Sequence, residues 1–221
     1  MVFTTQSNER LAFKNALVNL MSTPGLSKMA VQGAVLTQSY LRTIQPLNNS
    51  STNFSFQILA NQTGSGNPIR PDERRLNQQD AFYLSKIWVY IFKGASATDM
   101  AVVPKSYPNP VTFPTGAASL YTFYNGRISL VINNNIQVPG YPLQKFLQIP
   151  QTQLTAATNS PSDQYDGTMI MPWEPNLTLV GLYNNEFSIT IPANIATIDA
   201  NTFAAIEIEG VLAQNVALGA A

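Results

Sequence analysis

AFYLSKIWVYIF, residues 81–92, places apolar side chains on both faces of an extended chain: Ile87, Val89 and Ile91 on one, Trp88, Tyr90 and Phe92 on the other. β-branched and aromatic residues pack well on a pleated backbone and lose rotamer freedom in a helix. The run therefore predicts a strand covered on both sides, at the centre of a core. Working outward, Phe54, Phe56 and Ile58 alternate with Ser55 and Gln57, the two-residue period of a half-buried strand. The same period returns in Phe187, Ile189 and Ile191, and in Ile206 and Ile208 set against Glu207 and Glu209. NLTLVGL (176–182) is a further strand candidate.

LYTFYNGRISLVI (120–132) reads as a β-hairpin turning at Asn125-Gly126, residues that tolerate the positive φ angles of a type I′ turn. Pro142 is placed to open a short helix, PLQKFLQ, that ends before Pro150. The polar stretch 151–168 is long enough to be a functional loop. Ahead of all this, Ser7 or Asn8 can cap a helix with Glu9 in its first turn. Leu11, Ala12, Ala16, Val18, Leu20 and Met21 supply its uneven apolar stripe, and Pro24-Gly25 ends it. Residues 26–47 fit helix or strand, with SYLRTIQPL extended. The expectation is an all-β fold: an antiparallel two-sheet sandwich of jelly-roll type with about eight strands. An N-terminal helical arm over 1–47 would precede a sandwich domain over 48–221, and an immunoglobulin-like sandwich is the main rival.

Composition narrows the chemistry. In 221 residues there is no Cys and no His, which excludes Ser-His-Asp and Cys-His catalysis, Cys/His zinc sites and disulfides. Only 11% of residues are charged, and Asn, Gln, Ser and Thr supply the remaining polarity. A surface of neutral amides and hydroxyls repels its own copies weakly, which suits a subunit that packs against itself. No stretch reaches the apolar length of a membrane span, and MVFTTQSNERLAF lacks the pattern of an export signal, so neither is expected. No catalytic, cofactor or metal site is expected.

Zero net charge conceals a division. All twelve Lys and Arg lie between Arg10 and Lys145, and residues 1–145 hold five acids, whereas 146–221 carries seven acids and no base. Internal neutralisation between neighbouring strands explains this most simply. The functional readings are a bipolar subunit whose positive face meets a neighbour's negative face, or a basic inner side against nucleic acid.

Arg70, Arg74 and Arg75 form the densest basic cluster, interleaved with Asp72 and Glu73, and guanidinium groups make bidentate contacts to carboxylate or phosphate. Asp163, Asp166 and Glu174 are hard-oxygen donors, yet their spacing matches no EF-hand loop for Ca²⁺. Trp173, between Pro172 and Pro175, reads as an anchor for a loop or a neighbour. These seven are the candidate subunit contacts. Glu207 and Glu209 share a strand face and read as a solvent or interface face more readily than as a carboxylate pair. Tyr107, Tyr141, Tyr165 and Trp173, if open, could stack on a sugar ring, which makes a glycan-binding or receptor-binding module the alternative function.

Taken together, the N-terminal arm, LNQQDAFYLSKIWVYIF (76–92), NEFSITIP (185–192), AAIEIEGVL (204–212) and the amide-rich, charge-poor composition resemble the jelly-roll structural proteins of bacteriophages and other icosahedral viruses. That resemblance covers 54–212 as architecture. It implies a capsid subunit made in the host cytoplasm and resident in the virion, with copies of itself and other virion proteins as partners.

Overall fold

The computed structural model describes residues 3–58, 76–94, 104–149 and 171–217, without the side chains of 3–12 and 174–176. Within them the chain forms two four-stranded antiparallel sheets. Helices α1 (Phe3–Ser22) and α2 (Lys28–Gly33) lead into β1 (Leu36–Pro46), β2 (Asn53–Ile58) and β3 (Ala81–Lys93). Helix α3 (Ala117–Tyr124) precedes β4 (Arg127–Ile132) and β5 (Asn135–Pro142), and β6 (Met171–Val180), β7 (Asn185–Thr190) and β8 (Thr202–Ala213) follow. The sheet orders are β1-β8-β3-β6 and β2-β7-β4-β5. β1 thus pairs with β8, β2 with β7, β3 with β6 and β4 with β5, so each of these pairs nests inside the one before it.

β3 is the doubly covered strand its sequence predicts. Phe82 and Leu84, then Ile87, Val89 and Ile91, face the core between the sheets, where they meet Phe56, Ile128, Leu130, Phe187 and Ile189. Inward residues are even-numbered before Ser85 and odd-numbered after it because a bulge between Leu84 and Lys86 inserts one residue into the ladder. The Ser85 hydroxyl donates to the Glu209 carbonyl at that point, 3.1 Å away. On the outer face, Tyr83 packs with Val211 and Ala213 beneath the helices, while Trp88, Tyr90 and Phe92 cluster with Ile44 and Phe203.

The N-terminal region departs from expectation in three ways. α1 begins at Phe3, so Ser7 and Asn8 lie inside the helix rather than capping it. Its described inward stripe is buried Ala16 and Leu20 with partly buried Phe13, Leu17 and Met21, spaced at three and four residues, while Val18 is 65% exposed. Residues 36–46, inside the stretch read as an arm, form an edge strand in continuous register with β8.

The hairpin expected at Asn125-Gly126 is displaced by one element. Leu120, Phe123 and Tyr124 fall on one helical face and are fully buried, so the segment ahead of Asn125 is α3 and not a strand. Asn125 has right-handed helical angles, φ −79° and ψ −2°. Gly126 is required by space: a Cβ there would lie 2.7 Å from the Thr190 carbonyl oxygen. The tight turn occurs eight residues after the expected one, where Asn133 and Asn134, at φ 49° and 62°, join β4 to β5. The helix expected after Pro142 is a single 3-10 turn, Leu143–Phe146.

Candidate functional site

A cleft of about 580 Å³ opens where the two sheets part, between the edge strands β5 and β6. Ile87 of β3 and Phe146 of the 3-10 turn line it with Gln137, Val138, Pro139 and Tyr141 of β5 and Met171, Pro172 and Trp173 of β6. Local chemistry explains its position. Proline cannot donate to a ladder and is confined to sheet edges, and Pro139, Pro142, Pro172 and Pro175 sit on exactly these two strands. Leu143 and Phe146 of the following turn are buried, which folds the chain back over the gap.

The Tyr141 ring packs 5.3 Å from Trp173 and 5.9 Å from Phe146. Trp173 is 5% exposed, and its indole N–H finds no hydrogen-bond partner among the described residues. Among the described residues lining the cleft, Gln137, Tyr141 and Trp173 carry polar groups, and none of these is a carboxylate or an amine. Such a cavity can hold an apolar or aromatic group, and its described lining residues offer no acid–base pair.

The acids of β8 are engaged within the subunit. Glu209 forms an ion pair with Lys86 at 3.2 Å. Glu207 stands opposite Arg42 in the β1–β8 ladder and accepts from the Tyr90 hydroxyl at 3.3 Å. Arg42 in turn donates to the same hydroxyl at 3.5 Å. Burial, and after it the Glu207 carboxylate, pushes the Tyr90 phenol far above its ordinary range, so it remains a donor. Asp199 is a third engaged acid. Its carboxylate accepts from Gly116 N–H at 2.8 Å and Thr115 N–H at 3.3 Å, and pairs with Lys93 at 3.2 Å. It thereby caps α3 from a distant loop, because the helix begins after Gly116, which has no side chain to do so. Burial alone would push the Asp199 carboxyl up, but the Gly116, Lys93 and Thr115 contacts together hold it below the usual carboxylate range.

Three acids of the all-acidic C-terminal segment are therefore matched by bases or donors from the basic segment, across neighbouring elements of one chain. Among the described residues no three acidic side chains converge on a point that could hold a cation.

Of the seven sequence-predicted contacts, Arg70, Arg74, Arg75, Asp163 and Asp166 lie outside the described residues, as does Tyr165. Glu174 belongs to β6, but its side chain is not described. Trp173 is an anchor turned into its own core rather than outward. Tyr107, 4% exposed, is likewise closed, so Tyr141 is the described ring of the sugar-stacking set with accessible surface. Sequence reasoning missed Asp199 and the cleft. The available signal for the cleft was the set of four prolines bracketing Tyr141 and Trp173.

No family model, curated protein or solved structure matches this chain. Its function rests on geometry and composition. No helix among the described residues is long and apolar enough to cross a membrane.

Proposed function

We propose that this chain is a virion structural subunit, most specifically a capsid protein of bacteriophage type, built on a single jelly roll and acting by packing against copies of itself. The observation that carries this reading is the nested strand pairing, first with eighth through fourth with fifth. An antiparallel ribbon of eight strands rolled into two facing sheets has this order, and that winding is the jelly roll. Composition supports the same reading. With 11% charged residues the surface has little charge to keep copies apart, and Lys86, Lys93 and Arg42 are committed to partners in their own subunit.

The work of such a subunit is mechanical. The sandwich supplies a rigid wall, and edges and loops supply contacts to further copies and to other virion proteins. Light scattering and negative-stain microscopy of the purified chain test it. Rings, trimers or shells are expected, and a strict monomer at high concentration and low salt would overturn the reading.

A further inference from the structure

The four sheet edges are not equally protected. A free edge presents unpaired N–H and C=O groups, and natural proteins blunt it with proline, bulges, charge or shortness. β5 carries Pro139 and Pro142, and its ladder to β4 shifts register twice. β6 carries Pro172 and Pro175 and faces the bulge in β3. β2 is only six residues long.

β1 has none of these devices over most of its length. It runs eleven residues, pairs with β8 without a register shift, and has its one proline at the last position, Pro46. Among the described residues no strand pairs with its other side. Its one charged residue, Arg42, is drawn across the sheet to Tyr90 and stands opposite Glu207. From Leu36 to Leu41 it bears no charge at all, and Thr37, Gln38 and Tyr40 are exposed, Tyr40 to 49%.

We infer that β1 is an assembly edge, and that its occupant is the β1 strand of a second copy, added antiparallel about a two-fold axis near Ser39. A two-fold sets the two Leu36–Leu41 segments against each other. Because both are uncharged, no like charges meet, whereas a segment rich in Lys or Glu would reject its own copy. The main-chain groups of β1 supply the bonds, and the two β1-β8-β3-β6 sheets become one eight-stranded sheet across the dimer. The inference deepens the proposed self-assembly by naming its contact.

The test is sedimentation of the full chain as wild type, as Gln38→Lys/Tyr40→Lys and as Gln38→Glu/Tyr40→Glu. Both side chains are exposed on the outer face, so both variants should stay folded, with a small fall in melting temperature for the Glu variant, whose Tyr40→Glu carboxylate stands opposite Glu209 in the β1–β8 ladder. The wild type is expected at twice the 24.1 kDa chain mass or as a multiple built from such pairs. Each variant alone should dissociate with a constant raised at least about tenfold, because like charges then face each other. An equimolar mixture of the two should regain the dimer, which a merely unfolded variant could not do. If the wild type assembles and the variants assemble equally well, the β1 contact is wrong while the self-assembly reading stands. A strictly monomeric wild type overturns both.

Discussion

Removing the Asp199 carboxylate tests whether a helix can depend on a cap supplied from more than eighty residues away. In Asp199→Ala, α3 loses the acceptor for Gly116 and Thr115 N–H, and Lys93 loses its ion pair. Loss of an N-cap acceptor costs about 0.5–2 kcal/mol. The Lys93 pair adds at most about 1 kcal/mol, because the lysine side chain is 31% exposed and partly screened. The total is about 2 kcal/mol, equivalent to a fall of about 4–8 °C in Tm for a domain of this size. Asp199→Asn keeps one acceptor and should lose about half as much.

The pH dependence has a definite sign. A carboxyl whose folded pKa lies below its unfolded value of about 3.9 stabilises fully above that value, and the contribution fades as pH falls through the folded pKa. The gap in urea stability between wild type and Asp199→Asn should therefore be largest at neutral pH and narrow below about pH 4. A gap that holds constant from neutral pH down to pH 3, or an Asp199→Ala variant with unchanged Tm, would refute the capping argument.

Three further outcomes follow from local geometry, each read by urea denaturation. Tyr124 is fully buried with a hydroxyl that has no partner among the described residues, so Tyr124→Phe should be neutral or stabilising by up to about 1 kcal/mol. A marked loss would mean the hydroxyl is bonded. A Cβ at Gly210 would overlap the Tyr83 carbonyl beside the β3 bulge, so Gly210→Ala should cost about 3 kcal/mol. A neutral result would place the bulge elsewhere. Asn134, at φ 62°, should tolerate Gly but lose about 1–2 kcal/mol as Val, and an equal response to both would argue against the I′ turn.

Where a signal was local and periodic, the sequence was read correctly. The two apolar faces of Ile87–Phe92 and the alternation in Phe54–Ile58 and Phe187–Ile191 describe strands whose neighbours could be anticipated as apolar without knowing which they are. Asn125-Gly126 misled because both a hairpin turn and a helix C-terminus accept that pair. The deciding feature was the spacing of Leu120, Phe123 and Tyr124, which fits a helix as well as an irregular strand. Leu36–Pro46 has a weak apolar alternation because an edge strand buries less, so its sheet membership follows from pairing with β8 and not from its own pattern. The Asp199 cap and the cleft unite residues distant in sequence, and no spacing rule reaches them. The Trp173 anchor was visible from its flanking prolines, but its direction, into its own core, was settled only by the Tyr141 and Phe146 rings.

Nested pairing also sets the order in which the protein can come into being. Between β4 and β5, Ile132 meets Asn135 across a tight turn, whereas Leu36 waits for Ala213. Closing a longer loop costs more chain entropy, and distant pairings form more slowly. The inner hairpin is the cheap first step, and each enclosing pair is brought closer by the one inside it. On a ribosome, β1 is among the first strands to emerge, yet its partner β8 is among the last. For most of its synthesis the nascent chain carries β1 with both edges unpaired, and such edges invite association with other chains. The time spent with β1 unpaired, set by the chain that separates Pro46 from Thr202, is then the interval in which association with other chains competes with folding.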